Sequence, residues 1–430
     1  MGPSQASAVR LLQVAQRFSA NPTSGAELRI FHLANELARH MSVTHLGFAP
    51  SGTADVPARG GRPIEFTAVA RQGSHRLMDL ARGAVGRIPY PVLNYTRQSM
   101  KSALRRRLET ESFDIVLLES VHLAAYLPLL RQARNRPRAI VCDWHNIESE
   151  VLSRYGDGGV RPFRRLYGRY SVQRLAAFER RFVNRCDLHI AVSERDRDTL
   201  IRQGARVPIV VIDNGVDVAR FREAAAGGGP PRNRVLYVGS MDAYENADAV
   251  IFFATKVWPR IRRSLPGAVF TIVGRNPSRG VRALASVDGI EVTGSVADVV
   301  PYYRQAFAAV VPLRVGGGTR LKILEAMAAG VPVVSTLRGA EGLLVTPGVH
   351  YLLADDETTM YQAVVDLAGD PAKREKLAAA AVAVVRQHYD WPALGDRLAA
   401  ALFALLEGRL PGQARVLARG PQLENKDLIR

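Results

Sequence analysis

The chain has 430 residues, 47% of them hydrophobic and 23% charged, which is too apolar for a largely disordered chain and longer than one hydrophobic core usually grows. Two domains are the starting expectation. Lys and Arg outnumber Asp and Glu by 58 to 40, a formal charge of +18, so polyanions or an anionic membrane face are candidate neighbours. The two cysteines, Cys142 and Cys186, lack the spacing of a zinc or redox site and fit a reducing compartment. No stretch approaches the roughly 20 apolar residues of a membrane span, and the N-terminus lacks the pattern of a signal peptide. A cytoplasmic protein is expected, with association with the inner face of the membrane as an option.

In chain order, Val9 to Val14 reads as a strand, followed by a loop with Pro22 and Gly25 and an amphipathic helix from Ala26 to His40. Val43 to Ala49, Ile64 to Val69, Phe113 to Leu118, Arg138 to Cys142, Leu188 to Val192 and Pro208 to Ile212 continue a parallel sheet, with a helix expected from His122 to Arg134. Arginines concentrate between Arg71 and Arg107 and between Arg161 and Arg185. They are either solvated helix faces or an electrostatic dock for a phosphorylated or lipid-linked acceptor. A Gly/Pro-rich stretch at 223–233 reads as a linker, dividing an N-terminal domain (1–222) from a C-terminal one (234–388).

The second half repeats the strand-helix grammar. Val235 to Val238, Val269 to Val273, Ile290 to Val292, Ala308 to Val311 and Val331 to Ser335 are strands, with helices from Ala247 to Ser264 and Arg320 to Ala329. Further helices are expected from Glu357 to Ala368 and from Ala372 to Gln387. A last helix within 389–408 is expected to return to the N-terminal domain, ahead of a loosely ordered tail at 409–430.

Chemistry concentrates where the strand ending at Val311 gives way to Gly316-Gly317-Gly318-Thr319-Arg320 and a helix carrying Lys322 and Glu325. Consecutive glycines let backbone approach a ligand, and a helix start aims free amide hydrogens at it. Arg320 and Lys322 are unfavourable at a positive helix end unless an anion joins them, so a phosphate is the natural occupant. Glu325 is placed to accept from ribose hydroxyls. The competing reading is a flexible glycine turn before an ordinary helix. His145, after a short strand at the sheet's carboxyl edge, is the candidate catalytic residue, and a helix-capping role is equally compatible with its spacing. Asp196-Arg197-Asp198 has the form of a metal motif but sits at a helix start with its aspartates on different faces; no metal is expected.

The block from Gly316 to Val334 resembles the donor-binding segment of the large retaining glycosyltransferase family 4. Tyr237-Val238-Gly239-Ser240-Met241, Phe270 to Pro277, Val292 to Val296 and Gly339 to Leu343 fall in that family's order. Weaker matches are Ser24-Gly25-Ala26-Glu27, Asp143-Trp144-His145-Asn146-Ile147-Glu148, Ala191 to Glu194 and Asp213 to Asp217. The resemblance implies a GT-B architecture: an α/β fold of two facing Rossmann-like doubly wound parallel-sheet domains with an interdomain cleft. It implies metal-independent transfer of a hexose from a nucleotide diphosphate sugar to a hydroxyl acceptor with retention, His145 contacting the transferred sugar. It places the donor against Gly25, Ser240, Gly274, Arg275, Val296, Gly316, Gly317, Gly318, Thr319, Arg320, Lys322 and Glu325. The acceptor side falls to the N-terminal domain, and cell-envelope or exopolysaccharide and glycolipid biosynthesis is the expected setting, glycosylation of a small soluble metabolite the alternative.

The chain departs from the family at three places. The first of the family's two glutamates falls on Gly317; Ser240 stands where an arginine is common, and Asn246 where a lysine is. Arg320 and Lys322 are expected to supply the missing positive charge to the departing diphosphate. A nicotinamide dehydrogenase is disfavoured because neither half has Gly-x-Gly-x-x-Gly after its first strand. An epimerase or phosphorylase on the same architecture fits the glycine-rich block less well. A non-catalytic polyanion-binding protein rests on charge alone, and no zinc finger, RNA-binding signature or helix-turn-helix supports a nucleic-acid partner.

Overall fold

A computed structural model describes residues 9–17, 24–49, 63–70, 77–155, 162–225, 233–316 and 320–410. They form two compact units, the first holding the chain up to Asp213 together with the residues from Leu394, the second running from Asn214 to Ala393. In the first unit β1 (Arg10–Ala15), β2 (Ser42–Ala49), β3 (Glu65–Ala70), β4 (Ile115–Glu119), β5 (Ala139–Trp144), β6 (Leu188–Ala191) and β7 (Ile209–Val211) make one sheet. Its order is β3-β2-β1-β4-β5-β6-β7, and every neighbouring pair is parallel.

The second unit repeats the plan with β8 (Arg234–Val238), β9 (Val269–Val273), β10 (Ile290–Gly294), β11 (Ala306–Val311), β12 (Val333–Ser335) and β13 (Leu352–Leu353). Its order is β10-β9-β8-β11-β12-β13, again wholly parallel. Both are Rossmann-like doubly wound sheets. Helices cover both faces of such a sheet, which is why central strands such as Ile-Val-Leu-Leu-Glu in β4 and Ala-Phe-Ala-Ala-Val-Val in β11 are buried along their whole length. The strand order reverses between β1 and β4 and between β8 and β11. At those two places the connections leave in opposite directions and open a crevice beyond the carboxyl ends of the strands, where ligands of this fold class bind.

Two expected helices take other forms. The one expected from His122 to Arg134 is a 3-10 segment, Val121–Tyr126, followed by a helix at Leu127–Gln132. Pro128 has no amide hydrogen to offer the preceding turn, and the Ser120 hydroxyl accepts from the His122 amide to start the tighter coil. The helix expected from Ala247 to Ser264 contains a π-turn at Phe253–Val257 between Tyr244–Phe252 and Trp258–Ser264. Pro259 removes one amide there, and the Thr255 hydroxyl donates to the Ile251 carbonyl at 2.7 Å.

The arginine-rich stretches lie largely on helices. In Gln98–Thr110, Met100, Leu104 and Leu108 are buried at four-residue spacing while Arg105 and Arg106 are exposed. Of the stretch 223–233, residues 226–232 lie outside the described residues; the helix Val218–Ala225 reaches into its start and belongs to the second unit. The last helix, Trp391–Leu406, enters the first unit at Leu394, where His40 Nε2 meets Asp396 at 2.8 Å. Residues 411–430 of the expected tail lie outside the described residues. No helix among the described residues is long and apolar enough to cross a membrane. Cys142 in β5 and Cys186 just before β6 are both buried free thiols whose pKa burial pushes up.

The loops after β8 and β9 interlock through backbone. The Gly239 amide donates to the Val273 carbonyl at 3.0 Å, and a Cβ on Gly274 would stand 1.7 Å from the Gly239 carbonyl oxygen. Only glycine fits at 274 without moving main chain. Gly274→Ala is therefore expected to lower the unfolding free energy by about 1 to 3 kcal/mol, the usual range for forced overpacking, measured by urea denaturation.

Candidate functional site

In the second unit the donor-block residues meet at the crevice between β8 and β11. Lys322, in the first turn of the helix Leu321–Ala328, reaches back so that its Nζ donates to Tyr237 Oη at 2.8 Å and Asn246 Oδ1 at 2.5 Å. The ammonium also lies 4.5 Å from the centre of the Tyr237 ring, a cation-π contact. Tyr237 in turn donates to Asn246 Oδ1 at 2.7 Å, and Asn246 Nδ2 to the Ser240 carbonyl at 2.9 Å. An ammonium has three N–H donors and these contacts use two. The space beside it is open because residue 239 is glycine: a Cβ there would come within 3.2 Å of Nζ. Burial, with the neighbouring Arg320 charge, lowers the Lys322 pKa to about 7, so an anion entering the crevice would restore its ordinary basicity.

Arg320 is buried at the start of the same helix, and its guanidinium donates to the carbonyls of Gly316 at 3.2 Å and Arg338 at 3.0 Å. It holds the glycine turn in shape. Gly316 has φ +102, a left-handed conformation that suits glycine, and a Cβ there would press on Glu245 at 3.0 Å. Glu325 is partly buried; its Oε2 accepts from the Tyr303 hydroxyl at 3.0 Å and its other oxygen has no protein partner among the described residues. Burial raises its pKa to about 7. Ser240 and the exposed Arg275 are joined, Arg275 Nε donating to Ser240 Oγ at 2.8 Å. Val296 packs its side chain on the core of this unit. Gly317, Gly318 and Thr319 lie outside the described residues.

In the first unit, His145 follows β5 and is buried, and its Nε2 donates to Glu119 Oε2 at 2.7 Å, at the end of β4. Glu119 Oε1 accepts from Gln13 Nε2 at 2.5 Å, and Gln13 Oε1 takes the ring N–H of His45 at 2.8 Å. Burial holds His45 down to a pKa of about 3, so it stays neutral and serves as a donor. Alongside runs a buried ion pair: Arg29 Nε and Nη2 donate to the two oxygens of Asp143 at 2.7 and 3.1 Å, and Arg29 Nη1 to the Asp213 carbonyl at 2.9 Å. Burial opposes a proton on His145, but its hydrogen bond to Glu119 and the Asp143 charge outweigh it, and the pKa rises above the ordinary 6.5. His145 Nδ1 is buried with no hydrogen-bond partner among the described residues. When the ring is protonated, its Nδ1–H is left to meet a ligand oxygen. Gly25 is the exposed first residue of the helix Gly25–Leu37, whose start Ser24 and Glu27 close with a reciprocal capping box.

Glu119, Asp143 and His145 present three ligand atoms within 4.8 Å of one another, the spacing of a metal site. The carboxylate oxygens already accept hydrogen bonds: both Asp143 oxygens from Arg29, and the Glu119 oxygens from Gln13 and His145. A cation entering here would have to compete with Arg29 and with the His145–Glu119 hydrogen bond for these oxygens. Asp196 is part of a helix start, its amide donating to the Ser193 hydroxyl at 3.1 Å, and Asp198 pairs with Arg197 at 2.7 Å. Gln13, Arg29, His45 and Glu119 were not singled out from the sequence. The available signal was a polar residue within an apolar strand or on a buried helix face.

Two family models match successive parts of the chain: Glycosyltransferase Family 4 over residues 23–220 and Glycosyl transferases group 1 over residues 232–370. The chain belongs to glycosyltransferase family 4, a family of glycosyl-transferring enzymes. A glycogen synthase of Mycobacterium tuberculosis is 29% identical over 221 residues, 48% of this chain and 51% of that protein. A phosphatidyl-myo-inositol mannosyltransferase of Mycolicibacterium smegmatis is 29% identical over 197 residues, 44% of this chain and 50% of that protein. The matches thus span about half the length of these curated relatives. Among solved structures, a sucrose-phosphate synthase from Thermosynechococcus elongatus superposes with TM-score 0.66 at 16% identity, covering 93% of this chain and all of that one. The Anabaena HepE protein in complex with UDP and glucose gives 0.61 at 16% identity, covering 92% and 100%. These likenesses establish the GT-B type of fold for this member of family 4.

Removing Arg29 leaves Asp143 buried and uncompensated. Arg29→Met should cost about 3 to 5 kcal/mol of stability in urea denaturation. A histidine with a raised folded pKa adds stability that is complete below its unfolded value of 6.5 and is lost as the pH climbs through the folded value. In Glu119→Gln, NMR titration should find the His145 pKa lower than in the wild type, and the stability gain toward acid pH should shrink with it.

Proposed function

We propose that this protein is a metal-independent, retaining glycosyltransferase whose second unit holds a nucleotide diphosphate sugar and whose first unit serves a hydroxyl acceptor. The observation that carries this reading is the Lys322 ammonium, cradled by Tyr237 and Asn246 with one N–H unused, beside Gly239 and Gly274 at the crevice between β8 and β11. Asn246 stands where the family commonly has a lysine; Lys322, arriving from the opposite side of the crevice, brings a positive charge to its amide. Diphosphate oxygens would complete the ammonium's hydrogen bonds and be answered by the amide hydrogens at the helix start. The free oxygen of Glu325 is suited to a ribose hydroxyl.

In this reading the bond from the anomeric carbon to the diphosphate breaks, and the acceptor oxygen attaches on the same face. The acceptor proton passes to the departing phosphate oxygen. His145, oriented by Glu119, whose hydrogen bond favours the protonated ring, donates from Nδ1 to the transferred sugar. The Arg29–Asp143 ion pair and the hydrogen-bonded Glu119 carboxylate support chemistry without a divalent ion. The exposed arginines of Gln98–Thr110 and the net charge of +18 support a lipid-linked envelope acceptor beside an anionic membrane face. A second reading, transfer to a small soluble metabolite, is favoured by the match to a D-inositol 3-phosphate glycosyltransferase of Actinosynnema mirum, 29% identical over 246 residues.

A thermal-shift screen with UDP, GDP, ADP and TDP and their common sugars, with and without EDTA, tests the proposal. A nucleoside diphosphate at 100 times its Kd should stabilise the protein by about 2.7 kcal/mol, unaffected by EDTA. Lys322→Met should weaken that ligand by about one to two decades, the worth of a charge-assisted hydrogen bond, and Glu325→Ala should weaken it too. Absence of stabilisation by any of the four would refute the donor site.

A further inference from the structure

Beside His145, the loops after β4 and β5 carry two more polar side chains that the reaction described above does not use. His122 is held from two sides: its Nδ1 lies 2.9 Å from Ser120 Oγ, and its ring packs on Tyr95 with centroids 5.1 Å apart. Ser120 adopts φ 101, a conformation that costs a non-glycine residue energy and that recurs where a site demands it. Its oxygen accepts from the His122 amide, and when its own hydrogen is turned to Nδ1 the ring proton lies on Nε2. Burial and the nearby charges of His145 and Arg17 lower the His122 pKa to about 4, which keeps the ring neutral.

Glu148 stands in the first turn of the helix Glu148–Tyr155, whose start is pinned by the Ser149 hydroxyl donating to Glu179 at 2.5 Å. The Glu148 carboxyl is 17% exposed and makes no hydrogen bond to a described residue; its nearest opposite number is His122 Nε2, 3.9 Å from Oε2. That separation is too long for a direct hydrogen bond. One oxygen set off the line that joins them can reach both at about 2.8 Å. A donor facing an acceptor selects a group that does both, which is a hydroxyl. Burial, with the Glu179 charge, raises the Glu148 pKa to about 7; above that pH a phosphate would meet its carboxylate, and an ammonium would meet the His122 N–H.

We propose that His122 and Glu148 together bind one hydroxyl of a sugar or polyol acceptor, which accepts from His122 Nε2–H and donates to the Glu148 carboxylate. This rests on the reading that the first unit serves the acceptor. The pair is a positioning device: it orients the acceptor next to His145 and takes no part in bond making.

The test is saturation-transfer NMR on the full chain, with methyl α-D-glucopyranoside and myo-inositol as probes. The wild type should transfer saturation to at least one probe, and His122→Phe and Glu148→Leu, which conserve volume, should each reduce it at least fivefold. Both variants should keep the wild-type stabilisation by a nucleoside diphosphate, which shows that they are folded. His122→Ala serves should the larger ring disturb the loop. No transfer in the wild type, or undiminished transfer in folded variants, overturns the proposal. Failure of the donor reading would show separately, as no stabilisation of the wild type by any nucleoside diphosphate.

Discussion

The Arg29–Asp143 ion pair is the interaction on which the first unit depends. It joins three segments far apart in sequence: the first helix, the carboxyl end of β5, and through the Asp213 carbonyl the end of the sheet. Both side chains are essentially without exposure, at 1% and 0%, so neither charge has water to fall back on. A buried pair of this kind is a weak source of net stability but a strong constraint, because losing one partner strands the other. Asp143 is two residues from His145, and its carboxylate helps raise the pKa of the imidazole while the Arg29 charge opposes it. The same ion pair therefore fixes the geometry of the sheet edge and bears on the basicity of its histidine.

The second unit handles charge at its crevice differently. Lys322 donates to a phenol and an amide, and Arg320 donates to two carbonyls. Burying a charge is costly, and the cost appears in the lowered pKa of both residues. An anion entering the crevice would offset that cost.

Much of the fold was legible in the sequence because parallel strands buried on both faces read as unbroken apolar runs. β4, β5, β9 and β11 were found within a residue or two of their ends. The donor block was legible because its glycines and charges are contiguous. The polar network of the first unit was not, since Gln13, Arg29, His45 and Glu119 are single residues in four separate segments, meaningful only once the sheet brings them together. Arg320 shows what charge patterning leaves out: its guanidinium also donates to the carbonyls of Gly316 and Arg338, contacts that no local pattern displays. The π-turn at Phe253–Val257 escaped notice because hydrophobic periodicity continues through it, while the cause, Pro259, sits one turn later.

Both cysteines lie in the first unit, Cys142 inside a central strand and Cys186 at the foot of its neighbour, and the second unit has none. Burial keeps both thiols protonated, and a thiol in that state is a poor nucleophile. Alkylation must then wait for the β5–β6 region to come apart. The chain thus carries a built-in clock for the opening of one half alone, against which breathing of the other half, silent to thiol reagents, can be separated without introducing a label.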